Sequence, residues 1–345
     1  MKRKKYWMYF IVFFGYALIV KAQTNFAFLN LPLSARQVAL GGLNVSAYGN
    51  DASMFMANPA LLTDSTHLHL SANHYAYYAD VGHSSAQFTA ALRTGGTMGV
   101  GLQSLNYGTF SAYDASGNSQ GEFRARDFAL TLAYAHQISA FRLGTNLKFV
   151  QSSIAEYRSS GIFMDMGGAF FHPEKDLVVG INLKNIGFVL QRFTPTARPQ
   201  IPFDAQLGVS YKPSHMPFRF SLTAHHLHRF NIGYENTQVT TDVFGNPIEE
   251  RLSWGTKLLQ HIVVGTELLV GKYLTFRLGY NYWQRSSLKI QERAAFVGFS
   301  YGIAVKSKNI EVGFSRATLH IAGGTNSFSV VLNTRSILKK KTVVQ

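Results

Sequence analysis

Alternation with a period of two, repeated after His67, constrains this chain more than any other feature. In the segment 141–149, FRLGTNLKF, one face carries Phe141, Leu143, Leu147 and Phe149, and the other carries Arg142, Gly144, Asn146 and Lys148. Segment 203–212 repeats the pattern with Asp204, Gln206, Ser210 and Lys212 on its polar face, and 177–184, 218–225, 274–281 and 326–333 do the same. Side chains on a strand point alternately to its two faces, so each segment reads as a strand with one apolar and one polar side. A soluble sandwich turns the apolar side inward, whereas a membrane barrel turns it outward to lipid. Alternation by itself allows both.

Connection lengths separate them. The pattern predicts strands at 67–78, 83–92, 97–105, 125–136, 141–151, 161–172, 177–186, 203–212, 218–228, 260–270, 273–281, 294–305, 308–316 and 325–334. From the third strand on, long connections (106–124, 152–160, 187–202, 229–259, 282–293, 317–324) take turns with short ones (137–140, 173–176, 213–217, 271–272, 306–307). An up-and-down barrel produces that parity, with short periplasmic turns and longer outer loops, and a Greek-key sandwich has no reason to keep it. The expected fold is all-β, a transmembrane antiparallel up-and-down β-barrel of about 14 strands. An even count puts both ends on the periplasmic side, where a plug could enter from below.

The start of the chain predicts export. Basic residues Lys2, Arg3, Lys4 and Lys5 precede an apolar run, 6–20, too short to span a bilayer, and small residues Val20 and Ala22 follow. Residues 1–22 therefore read as a signal peptide. The formal charge of +15 falls to +10 without them, at 28 basic against 18 acidic residues. With those charges spread along the chain, anionic lipid, lipopolysaccharide or peptidoglycan is a better partner than nucleic acid. The absence of cysteine excludes a lipoprotein anchor and disulfides. The expected division is 1–22 signal peptide, 23–66 N-terminal hatch, 67–335 outer-membrane barrel and 336–345 a basic periplasmic tail.

One stretch of the exported chain lacks the strand pattern: 25–62, NFAFLNLPLSARQVALGGLNVSAYGNDASMFMANPALL. Ser34 can cap a helical turn over 35–40 that Gly41 and Gly42 end, and Asp51 can cap a second over 52–56 that Pro59 closes. Too apolar for a free tail and too short to hold a core, the stretch fits either a hatch inside the barrel or an arm along the sheet. Ser34, Arg36, Gly41, Gly42, Asp51, Asn58 and Pro59 are its candidate hatch residues.

Phe28 to Pro32, Ser34 to Arg36, Ala39 to Gly42, Asp51-Ala52 and Asn58-Pro59-Ala60 resemble, in that order, the amino-terminal segment of the PorV/PorQ family of Bacteroidetes outer-membrane proteins. Tyr107-Gly108, Tyr113-Asp114, Gly117-Asn118, Phe123, Tyr134-Ala135, Leu143-Gly144, Lys148 and 185–187 are similar to its PorQ branch. The Asp-Ala and Asn-Pro-Ala pieces also resemble the hatch of FadL-type hydrophobic-solute channels. The family resemblance implies a non-catalytic part of the type IX secretion system. Its barrel would hold a surface subunit similar to PorZ near PorU and PorV, which join cargo to lipopolysaccharide. The FadL likeness implies a transporter of hydrophobic solutes instead.

On the predicted parity the lumen receives Arg142, Lys148, Lys184, Lys212, Arg219 and Arg277 together with Asp127, Asp165, Asp204, Glu267 and Glu311. Mixed signs suit a charge-paired, plugged lumen more than an anion channel. His225, His226 and His228 invite a metal, but no acid stands at ligand spacing, so solvated interface histidines are expected. His74, Ser84, Ser85 and Asn73 do not make a hydrolase, since nothing orients them. No catalytic residue, cofactor or metal is assigned. Long outer loops bearing Tyr107, Phe110, Tyr113, Tyr234, Phe244 and Trp254 are the candidate partner-binding surface, or pack over the mouth.

Overall fold

The structure, a computed structural model, describes residues 25–93, 95–197, 199–232, 240–241, 247–248, 253–288, 296–320 and 323–335. Fourteen strands close into one antiparallel barrel. They are β1 His69–Ala76, β2 Gly82–Ala91, β3 Thr97–Tyr113, β4 Ser119–Ile138, β5 Phe141–Ile154, β6 Tyr157–Phe171 and β7 Asp176–Gln191. After these come β8 Asp204–Lys212, β9 Phe218–Ala224, β10 Ile262–Val270, β11 Leu274–Asn281, β12 Phe299–Lys306, β13 Ile310–His320 and β14 Gly323–Asn333. Each pairs with its neighbours in sequence, and β1 closes on β14 in the register His69↔Asn333 to Ala76↔Asn326. Every predicted strand is present.

Expectations about loops change in several places: β7 runs on to Gln191 into the expected loop 187–202, and β13 and β14 take up 317–320 and 323–324 of the expected loop 317–324. The predicted loop 106–124 is mostly strand: β3 and β4 run 17 and 20 residues and meet at a turn where Asp114 Oδ1 accepts from Ser116 N and Asn118 N. At roughly 3.3 Å per residue, such strands outreach a hydrocarbon belt about 25 Å tall, so this hairpin stands clear of lipid. The predicted loop 152–160 shrinks to a turn at Ala155 and Glu156. Two short helices, α2 Trp254–Gln260 and α3 Tyr282–Leu288, occupy parts of the expected loops 229–259 and 282–293. Loop residues carry weak alternation, so strand or helix propensity there escapes a period count.

Parity holds through the wall. Leu132, Leu147, Ile181, Leu207, Leu222 and Val312 all point out, with Leu147 51% exposed, while Asn146 beside it is fully buried. An apolar outer face of this extent is stable against lipid, not water.

Candidate functional site

Inside the wall, residues 25–66 fill the lumen. Helix α1 (Ala35–Ala39) starts where Ser34 Oγ accepts from Gln37 N at 3.3 Å, and it ends at Gly41 and Gly42, whose φ of 92° and 87° suit glycine. Asp51 Oδ1 caps a 3-10 turn, Ala52–Met56, by accepting from Ser53 N at 2.9 Å. Pro59 opens a further turn, Pro59–Leu61, instead of only closing the one before; Asn58 Oδ1 caps it through Ala60 N at 3.0 Å. The segment does not enter from below. Asn25 N donates to Gln200 O at 3.1 Å beside the start of β8, at the long-loop end, and the chain descends through the lumen to β1.

Wall side chains satisfy the plug's backbone, as buried polar groups require. Ser329 Oγ accepts from Ala35 N at 2.7 Å, and Asn281 Nδ2 donates to Gly41 O at 3.1 Å. Asn182 donates to Ala57 O at 2.6 Å, Asn146 to Phe55 O at 3.1 Å and Arg142 to Leu62 O at 2.7 Å. Wall glycines let the plug approach. A Cβ on Gly279 would lie 2.2 Å from Gly41 N, and one on Gly180 would lie 2.2 Å from Val45 O. Neither position has room for alanine.

Arg36 locks this plug to the sheet. Its Nε and Nη2 donate to Glu267 Oε1 and Oε2 of β10 at 3.0 and 2.8 Å. The same carboxylate accepts from Arg277 Nε at 3.0 Å and Arg219 Nη1 at 3.3 Å, and Arg277 also reaches Glu311 at 3.2 Å. A second buried pair, Lys148 with Asp165 at 2.6 Å, bonds through Lys148 Nζ to Asn185 Oδ1 at 2.9 Å. The predicted charge-paired lumen is therefore present, with the hatch packed inside it.

Above the plug, at the long-loop end, lies a mostly apolar cavity of about 520 Å³. Phe26 and Ala27 border it from the hatch, facing Tyr107, Phe110, Phe123, Ala125, Ile154 and Phe193, with Asp127 as its acid. Tyr107 OH donates to Asp127 Oδ2 at 2.7 Å. Beneath it Phe26, Phe28, Leu29, Leu105 and Phe163 pack together. Tyr107 and Phe110, read from sequence as partner-binding, thus line a cavity. Tyr113, at 65% exposed on the hairpin, and Trp254, at 68% on α2, remain free-standing aromatics. Tyr234 and Phe244 lie outside the described residues. The wall also parts beside the hatch: β7 and β8 pair only as far as Lys184↔Asp204, after which Asn185 turns at φ 57°. Pro202 O there accepts from Asn30 Nδ2 and Asn185 Nδ2.

The histidine expectation is corrected. His225 is fully buried, and Asp204 of β8 comes beside it, with one ligand atom from each of Asp204, His225 and His226 within 4.8 Å of the others. Burial, helped by His226 and His261, pushes His225 down to about 3. Linear spacing hides this acid, yet continuing the register Leu207↔Ala224 of the β8–β9 hairpin by three residues sets Asp204 opposite Leu227, between His226 and His228.

No protein-family model matches the chain, and neither does any curated protein. Among solved structures it is similar to the toluene transporter TbuX of Ralstonia pickettii, at TM-score 0.53 and 11% identity over 88% of this chain and 98% of that one. The toluene transporter TodX of Pseudomonas putida gives TM-score 0.50 and 12% identity over 87% and 97%. The fold is the FadL-like outer-membrane barrel. At such identity the likeness is one of fold, and this FadL-like barrel shares with the sequence expectation its strand number and N-terminal helical turns.

Proposed function

We propose that this FadL-like barrel is an integral outer-membrane protein and works as a non-catalytic anchor of the type IX attachment complex, holding a surface subunit similar to PorZ. The supporting observation is the combination of a plug locked by Arg36 and Glu267 with a β3–β4 hairpin that rises past the lipid belt and exposes Tyr113. Rigid strands carrying an exposed aromatic suit protein binding. The resemblance of the hatch and hairpin motifs to the PorV/PorQ family supplies the choice of partner.

A second reading, a carrier of hydrophobic solutes, is favoured by the cavity of about 520 Å³ over Phe26 and by the parting of β7 from β8. The two readings separate in one experiment. Replacing residues 110–123 by a two-residue turn should leave a heat-modifiable, inserted barrel, since Thr109 and Arg124 already pair across the hairpin. It should lose the surface subunit in pull-downs and leave cargo unattached. Ala125→Trp, which fills the cavity, should leave attachment intact. Retained partner and cargo in the trimmed barrel, with solute uptake lost in Ala125→Trp, would overturn the anchor in favour of the carrier.

A further inference from the structure

Two neighbouring residues of a strand point to opposite faces, so adjacent histidines seldom meet. His225 and His226 do. Directly after β9 the backbone turns left-handed at His226, φ 54°, and brings the two ring centroids to 4.8 Å. Their Nδ1 atoms stand 2.6 Å apart, and His226 Nδ1 is 3.9 Å from Asp204 Oδ2. Asp204 is 1% exposed and His225 0%. The second nitrogen of His225, Nε2, is buried with no hydrogen-bond partner among the described residues. The nitrogens that meet are the two Nδ1 atoms, and it is beside them that the Asp204 carboxylate stands.

The surroundings orient the carboxylate as those of a metal ligand do. His226 N donates to Asp204 Oδ1 at 2.6 Å, and Gln206 Nε2 donates to Oδ2 at 2.6 Å. His261 Nδ1 lies 2.7 Å from the His225 carbonyl and fixes that backbone. Two imidazoles and one carboxylate favour zinc, nickel, copper or iron over calcium or magnesium, whose sites are built of oxygen.

We propose that Asp204, His225 and His226 form a binding site for a divalent transition-metal ion at the long-loop rim of the barrel. Metal–nitrogen bonds of about 2.0–2.1 Å need the two Nδ1 atoms to part by several tenths of an ångström and the carboxylate to close in from the present spread of up to 4.8 Å. The bound ion joins β8 to the segment after β9. That segment packs His228 on Phe203, next in the chain to Pro202, to which the hatch residue Asn30 is bonded, so the ion would also stiffen the rim beside the hatch. A hydrogen-bonded Asp–His–His chain that takes no metal is the competing account.

Trp283 supplies a local reporter, with its ring 6.1 Å from His225 and 5.9 Å from His226. The barrel, extracted in detergent and stripped with chelator, is titrated with Zn(II) against a chromophoric competitor. In a W254F background, Trp283 fluorescence is followed on adding Cu(II). One equivalent of Zn(II) and quenching at matching stoichiometry are expected. Asp204→Asn and His225→Ala should each weaken both by roughly tenfold or more, while His172→Ala, in a distant turn, changes neither. His226→Asn tolerates the left-handed backbone and so keeps the fold while removing a ligand. Heat-modifiability shows that each variant is folded. Absence of stoichiometric Zn(II) in the parent, or equal binding and quenching in folded His225→Ala and His226→Asn barrels, would overturn the site and leave the hydrogen-bonded chain.

Discussion

Breaking the lock between Arg36 and Glu267 tests the account of the plug. Glu267 receives four charge-assisted hydrogen bonds, two from Arg36 and one each from Arg277 and Arg219. Arg36→Met removes two of these and the bond to Tyr48 O at 3.1 Å, but leaves the carboxylate with two arginines. A charge-assisted bond contributes about 1.5–3 kcal/mol, and the retained partners offset part of the loss, so about 3 kcal/mol is expected. Glu267→Gln is worse at about 4 kcal/mol, because it strands Arg36, 5% exposed, whereas Arg277 keeps Glu311. The double variant should cost about 2–3 kcal/mol less than the sum, since Arg36→Met removes the cation that Glu267→Gln would strand. Urea unfolding of barrels in lipid vesicles, read by loss of heat-modifiable migration, measures all four corners of the cycle. Strict additivity, or a harmless Glu267→Gln, would refute the lock.

Leu147→Arg sets a charge in hydrocarbon and should cost about 2–4 kcal/mol in the same assay. Its neighbour Asn146 faces the lumen but is fully buried against Phe55 O, so Asn146→Arg should also reduce folded barrel, by overpacking. Gly279→Ala and Gly180→Ala should each lower stability by about 1–3 kcal/mol, while Gly255→Ala, which meets nothing within 4 Å, should not. A cysteine at Ser116 should react with an impermeant reagent on whole cells and one at Ser214 should not; labelling of Ser214 alone would invert the topology.

Strands and parity were legible because the rule behind them is local. Lipid on one side and a filled lumen on the other force period two, and 141–149 states it within nine residues. Lumen charges such as Glu267 and Arg277 followed from the same parity. Their partner did not: Arg36 reaches Glu267 across 231 positions, and no spacing signals that. For Tyr107 and Phe110 the sequence left two readings open, a partner surface or packing over the mouth, for a related reason. A loop's aromatics look alike in sequence whether they face solvent or a cavity, and the extension of β3 and β4 into a hairpin sets these two along the cavity, with Phe110 still partly exposed. His225 was hidden by the left-handed turn at His226, which breaks the alternation of β9.

The tight seat of the plug has a consequence for how the barrel is made. Residues 28–62 touch β14 through Ser329, β12 through Ser300, β11 through Asn281, β7 through Asn182 and β5 through Asn146. These bonds encircle the segment, and glycines such as Gly180 and Gly279 leave no clearance along which it could slide. A finished cylinder could not be threaded. The sheet has to be laid around the segment while the edge between β1 and β14 is still open, and that edge zips last. A variant whose plug fits badly should therefore fail in the cell as an unsealed sheet, before any question of binding arises.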